Sequence, residues 1–288
     1  FDDLEDFIFE REHKFPGSYL LRAIAGLDTA LWDLKGKIEN KPVVSLIGGS
    51  PGKLRIYGSS MKRDIKSIDE AERFKKLFNE NGVNAFKFRV GSECGRGKDE
   101  WEGRTEEIVK VINKSLDKSI IKMVDANSCY APNQAIEIGK LLEDNGVTHF
   151  EEPCPYWKPE QTKLVTDALK IDVTGGEQDC DLRIWKDMVK RKIVNIYQPD
   201  VMYLGGLTKA LKVSEIINKG GFICTPHTAN LSLVTICTMH FLKAIKNAGP
   251  YLEFSIEGAD YYPWQQNLFS NDPFKVEDGK VEIPDIPG

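Results

Sequence analysis

Apolar positions along this chain follow two rhythms that alternate. Over residues 18–38, Leu20, Leu21, Ile24, Leu27, Leu31, Leu34 and Ile38 recur at helical spacing and predict one long amphipathic helix. From Leu54 onward, short apolar runs alternate with amphipathic stretches. The runs at 54–60, 85–90, 120–127, 148–153, 172–177, 194–200, 222–227 and 251–256 each read as a strand of a parallel sheet. The helical pattern occupies 69–81, 104–116, 132–145, 159–169, 182–190, 208–219 and 231–248 between them. Pro132 and Pro159 stand where helices begin, a position that needs no amide hydrogen. Eight strands with seven intervening helices predict an α/β barrel. Residues 1–17 show no clear period, and 274–283 reads as a small hairpin turning at Asp278-Gly279.

Several strands end by breaking their own apolar pattern with an acid. IIKMVDAN carries Asp125, THFEEP carries Glu151 and Glu152, and DVTGGE ends in Glu177. Asp125 to Glu151 is 26 positions, and Glu151 to Glu177 is 26 again, a period that suits one βα unit. A barrel brings the same place in successive units to one rim. A carboxylate there is costly unless its charge is used, and three converging acids with no local base suit a hard divalent cation. The last inward residues of the other strands extend the ring: Lys87 and Arg89, Asp200, His227 and Glu253. Singly, such an acid is more often a helix cap and a lone histidine a satisfied core group. In register, the set reads as an active site.

Composition narrows the class. The chain has 288 residues, 41% hydrophobic and 29% charged, enough for a sizeable core. A net charge of −5 argues against nucleic acid or an anionic membrane as main partner. No apolar run approaches the roughly 18 residues that span a bilayer. Six cysteines without a CxxC pair are expected to be reduced thiols of a cytoplasmic protein.

These residues resemble the enolase superfamily, specifically its mandelate racemase subgroup. GLDTALWDLKGK (26–37) looks like the helix that leads from that family's capping domain to its barrel. KFR (87–89) stands in the KxK place, VDAN, EEP and GGEQ at the three metal acids, QPD and TPH at an Asp–His dyad, and LEF at the acid of strand eight. The resemblance implies a modified TIM barrel, (β/α)7β, with only a remnant of the N-terminal α+β capping domain. Residues 1–52 would be that remnant and the lead-in helix, 53–256 the barrel, and 257–288 a C-terminal segment returning to the cap. It also implies one Mg²⁺ held by Asp125, Glu151 and Glu177, a sugar-acid substrate, and a dimer or octamer. A fragment lacking its cap, with weak turnover, is expected from the short N-terminal part.

On this reading His227, oriented by Asp200, takes the proton α to a carboxylate and returns it to a departing β-hydroxyl. The resemblance also implies a Lys or His base paired with Mg²⁺ to stabilise an ene-diolate. Lys87 would add charge to the substrate carboxylate, and Glu253 would donate a hydrogen bond if its pKa were raised. Asn127 is expected at the substrate or supporting the site. Arg89 departs from the racemase pattern, because guanidinium is a poor proton acceptor. That favours dehydration of an aldonate or aldarate to a 2-keto-3-deoxy acid over two-base racemisation. Tyr130 is a candidate to supply the tyrosine that some related dehydratases use. A racemase or epimerase, or a truncated inactive barrel, are the alternatives.

Overall fold

The computed structural model describes residues 2–15, 17–228 and 230–288. Phe1 and Pro16 of the expected 1–52 segment, and Ala229 of the expected barrel, lie outside them. Three helices come first: α1 (Asp2–Arg11), α2 (Ser18–Glu39) and α3 (Val43–Leu46). The barrel begins with β1 (Lys53–Ser59), α4 (Ser67–Asn81), β2 (Ala85–Arg89), α5 (Arg104–Ser115) and β3 (Ile121–Asp125). It continues with α6 (Pro132–Asp144), β4 (Val147–Glu151), α7 (Pro159–Ala168), β5 (Asp172–Gly175) and α8 (Leu182–Arg191). The last units are β6 (Ile196–Tyr197), α9 (Val201–Leu204), α10 (Leu207–Lys219), β7 (Ile223–Cys224), α11 (Leu233–Ala244) and β8 (Leu252–Ser255). A hairpin of β9 (Val276–Glu277) and β10 (Lys280–Glu282) follows.

Neighbouring strands from β1 to β7 pair in parallel, and β8 pairs in parallel with β1. The β7–β8 seam closes just ahead of β8: the Cys224 amide donates to Asn247 O at 2.9 Å and the Gly249 amide to Cys224 O at 2.8 Å. The fold is therefore the expected (β/α)7β barrel, with a helical segment in front of it. Between sheet and helices lie Phe74 stacked on Phe86, with Phe88, Phe150, Trp185 and Phe241 fully enclosed. Each such side chain contributes about 1.5–3 kcal/mol by leaving water.

Some boundaries differ from the pattern-based expectation. Residues 1–17 have no readable period, yet α1 forms over Asp2–Arg11. Strands expected over 194–200 and 222–227 shrink to the two-residue ladders of β6 and β7. Pro199 and Pro226 explain this, since a residue without an amide hydrogen cannot continue a ladder. Beyond those prolines Asp200 and His227 meet again as an isolated bridge. Asp200 then caps the unforeseen α9, accepting from the Met202 and Tyr203 amides. The helix expected to reach 248 stops at Ala244, which frees Asn247 to close the ring.

The ends of the chain pack on the barrel. On α2, the buried Asp28 accepts from the Thr208 amide at 3.2 Å and from the Thr208 hydroxyl, while Trp32 Nε1 donates to Thr208 Oγ1 at 3.0 Å. The lead-in helix thus satisfies the first turn of α10, whose amides have no partner within their own helix. Strand β10 runs antiparallel to the start of β1, from Lys53↔Glu282 to Arg55↔Lys280, so the hairpin extends the floor of the barrel. The Gly288 amide reaches Lys41 O at 3.3 Å. No helix among the described residues is long and apolar enough to cross a membrane, and all six cysteines are free thiols.

Candidate active site

Strand register fixes the height of the central residues. Arg89 lies opposite Asp125, and Asp125 opposite Glu151, on three adjacent strands. Immediately past these strand ends the backbone turns left-handed at Asn127 (φ 40°), Ser128 (φ 62°) and Glu152 (φ 39°). Left-handed residues other than glycine are costly and cluster where a site needs them. Here the turn folds Asn127 back so that its amide donates to Asp125 Oδ1 at 2.7 Å.

Each charged side chain of the ring has a defined partner. Lys87 Nζ lies 2.6 Å from Glu151 Oε1 and 2.7 Å from Glu253 Oε1, with Asp125 Oδ2 at 3.9 Å. Arg89 pairs with Asp125, donates to Asn127 Oδ1 at 2.9 Å, and fixes its Nε on Ser60 O at 2.9 Å. Gln198 Nε2 donates to Glu151 Oε2 at 2.6 Å. His227 Nδ1 lies 2.8 Å from Asp200 Oδ2, and its Nε2 lies 3.2 Å from Glu177 Oε2. Tyr203 tilts against the imidazole with ring centres 5.8 Å apart, and the Arg22 guanidinium of α2 sits 3.4 Å from the Tyr203 ring centre.

Electrostatics follow from this pairing. Burial pulls the His227 pKa down, but Glu177, Glu253 and Asp200 outweigh it and hold the ring protonated well above its ordinary range. Burial also opposes the charge on Lys87, yet Glu151 and Glu253 raise its pKa overall. Burial would raise Glu253, but Lys87 and His227 drive it down to about 2. Glu177 moves upward through burial, with His227 pulling the other way and Glu151 adding to the rise.

Asn127, Arg89, Glu177 and His227 open onto a cavity of about 580 Å³, with Met61, Arg63, Glu152, Tyr156, Tyr203 and Tyr261 also on its walls. Two expectations need correction. Tyr130 does not line the cavity; it is buried in the core with its hydroxyl 3.2 Å from Thr105 Oγ1, because the turn after β3 directs it behind the sheet. Glu253 is not a protonated donor. It is an ionised acceptor, held by Lys87, by Ser59 Oγ at 2.8 Å and by the Thr228 amide at 3.0 Å.

Sequence reasoning missed other residues here. Arg63, just past β1, donates from Nη1 to Gly91 O at 2.6 Å and Val90 O at 3.1 Å, and from Nη2 to Asn127 Oδ1. No motif surrounds it, although a basic pair at a strand end (Lys62-Arg63) was a readable signal. Glu152 is buried with its Oε1 unpartnered among the described residues, and burial, Glu177 and Glu151 together raise its pKa well above normal. The EEP run makes it visible, but the 26-residue spacing singles out Glu151 alone.

The donor set suits a hard cation. Five buried carboxylates (Asp125, Glu151, Glu177, Asp200 and Glu253), with Glu152 beside them, face the cations Lys87, Arg89 and Arg63 and the protonated His227. The imbalance and the oxygen chemistry match a divalent metal. The orientation does not yet form a cage, because Arg89, Lys87 and His227 occupy the carboxylate oxygens. Among the described residues no group of three or more His, Cys, Asp or Glu side chains is gathered tightly enough to hold a metal ion.

Comparison with known proteins agrees with this architecture. The family described as enolase C-terminal domain-like matches residues 69–288. The N-terminal domain of mandelate racemase / muconate lactonizing enzyme matches residues 6–48. An arabinonate dehydratase of Saccharolobus solfataricus is 26% identical over 100% of this chain and 75% of its own length. An L-talarate/galactarate dehydratase of Salmonella typhimurium is 26% identical over 93% of this chain, which spans only 62% of that enzyme. A Roseobacter denitrificans protein provisionally called a racemase is 58% identical, with a TM-score of 0.98 over 100% of this chain and 78% of its own. A Paracoccus denitrificans mandelate racemase/muconate lactonizing protein, solved with magnesium, is 25% identical with a TM-score of 0.88 over 98% of this chain and 76% of its own. The chain belongs to the enolase superfamily, in its mandelate racemase/muconate lactonizing enzyme branch.

Proposed function

We propose that this protein removes the proton α to the carboxylate of a sugar acid and expels the β-hydroxyl, giving a 2-keto-3-deoxy acid. The observation that carries this reading is that His227 is the only imidazole among the described residues of the cavity wall, which it shares with the Arg89 guanidinium, at the position where the racemase resemblance puts a second base. Arg89 stays protonated near neutral pH and can bind a leaving oxygen or a carboxylate, but it is a poor proton acceptor. Asp200 holds His227 Nδ1 and leaves Nε2 toward the cavity. Nε2 takes the α-proton and then delivers it to the departing hydroxyl, which leaves as water. The enol that remains becomes the keto acid.

Asp125, Glu151 and Glu177 would hold Mg²⁺, after release from Arg89, Lys87 and His227. Bound there, the ion would offset the negative charge that builds on the substrate carboxylate as the proton leaves. Were Glu177 engaged as a ligand, one of the three charges that hold His227 protonated would be drawn away from it, which would favour the ring as a base. Lys87, fixed between Glu151 and Glu253, sets the positive floor beneath the reacting group.

A cytoplasmic, homo-oligomeric enzyme using a small carboxylate substrate is consistent with this chemistry. The second reading is a racemase or epimerase, favoured by the name given to the 58% identical Roseobacter relative. Incubation of a complete set of hexarates, hexonates and pentonates in deuterated water with magnesium separates the two. A semicarbazide-reactive keto acid is the expected product. Deuterium at C2 of recovered acid with inverted configuration, and no keto acid, would overturn dehydration.

A further inference from the structure

We propose that Arg63, together with Asn127, anchors the remote carboxylate of a sugar acid that carries a carboxylate at each end. The inference rests on the reaction assigned above and narrows its substrate class from sugar acids in general to diacids.

Arg63 is a partly buried guanidinium on the cavity wall whose charge no side chain matches at contact distance. Its hydrogen-bond acceptors are neutral: the carbonyls of Val90 and Gly91 and the Asn127 amide oxygen. Among the described residues it makes no ion pair. Glu93 and Glu100 favour its charge only from further off, while burial and neighbouring Arg89 disfavour it, lowering its pKa to about 10. A cation withdrawn from water beside a second cation is costly unless an anion arrives. Arg89 lies against Asp125, so of the two neighbouring guanidiniums only Arg63 has no carboxylate at contact distance among the described residues.

Position separates this group from the reacting end. Arg63 is tied to the loops after β2 and β3, while His227 follows β7. Arg63 leaves β1 but reaches over the loops after β2 and β3, which lie three and four places round the ring from β7, so its guanidinium sits across the mouth from the base. An extended diacid that presents one α-carbon to His227 sends its other end toward Arg63. The planar guanidinium matches a carboxylate, and one unmatched positive charge balances one negative charge. A phosphate ester with nearly two charges would overshoot it, the more so with Glu93 and Glu100 near.

The test compares each hexarate with the hexonate of the same configuration, and with 6-phosphogluconate. Binding is read by calorimetry in magnesium chloride, on the unaltered chain and on Arg63→Gln and Arg63→Lys. The unaltered chain should prefer its best hexarate over the matching hexonate by about tenfold or more. Arg63→Gln should reduce that preference about ten- to a hundredfold, and Arg63→Lys should restore part of it. Thermal melts of both variants report whether the loop at Val90-Gly91 still holds. No preference in the unaltered chain, equal losses for both acids in Arg63→Gln, or tighter binding of 6-phosphogluconate would each overturn the subsite. Absence of α-proton exchange for every acid would instead overturn the reaction assigned above, while the binding preference is decided by its own measurement.

Discussion

The two walls of the barrel mouth are built differently. On the side of β2, β3 and β4, continuous parallel ladders run up to the functional residues, so that Arg89, Asp125 and Glu151 are paired in register by the backbone itself. On the side of β6 and β7, the ladders last two residues, and Asp200 and His227 are placed by a lone bridge, a helix cap and side-chain bonds. The first wall is a fixed array of charge. The second carries the proton-transfer group on a scaffold of individual hydrogen bonds. Groups that only need to supply a field are held by the sheet, and the group that must meet the substrate is held by contacts that can adjust.

The largest expected effect tests this division directly. His227→Asn removes the base but leaves the charged wall untouched. Exchange of the α-proton in deuterated water, followed by NMR, should fall by about 10²–10⁴-fold or more, while magnesium affinity by calorimetry stays within a few fold. Loss of metal binding in that variant would mean the two walls are not separable.

Lys87→Met attacks the charged wall. It leaves Glu151 and Glu253 buried without their shared cation, and removal of one partner from a buried pair costs about 3–5 kcal/mol. Urea unfolding should show that loss, with part of it recovered when magnesium is added. A variant as stable as the original would show that the carboxylates do not depend on Lys87.

The third prediction probes the hydrogen bonds behind the second wall. His240 on α11 is buried, and its Nδ1 accepts the Val44 amide of α3 at 3.0 Å. Burial lowers its pKa to about 4. The unfolded chain binds a proton near pH 6.5, before the folded one does, so stability is complete above pH 6.5 and falls as pH drops toward 4. The loss across that window is about 3 kcal/mol. His240→Asn keeps an acceptor for Val44 and should flatten this slope in urea titrations at pH 7.5 and pH 4.5. An unchanged slope would assign the acid sensitivity to other groups.

Much of the first wall was readable in the sequence, because a ladder forces a repeat. The 26-residue step from Asp125 to Glu151 to Glu177 is the footprint of strand, loop and helix. The second wall was readable only as residue types. The prolines of QPD and TPH mark where both ladders end, but nothing in those motifs tells that Asp200 becomes the cap of a helix of four residues. Arg63 has no period to betray it, since its role comes from where a loop folds back. Tyr130 and Glu253 were misjudged for one reason: their surroundings depend on neighbours distant in sequence, a core pocket beside Thr105 for one and Lys87 with His227 for the other. Spacing finds where a side chain leaves the sheet, but not what charge it meets there.

The stack of Arg22 on Tyr203, and of Tyr203 against His227, ties the segment ahead of the barrel to the ring that moves the proton. A transplant that began at β1 would keep every strand-end acid and still strip Arg22 from the Tyr203 ring that flanks the imidazole. Anyone borrowing this barrel as a scaffold would have to carry α2 along with it.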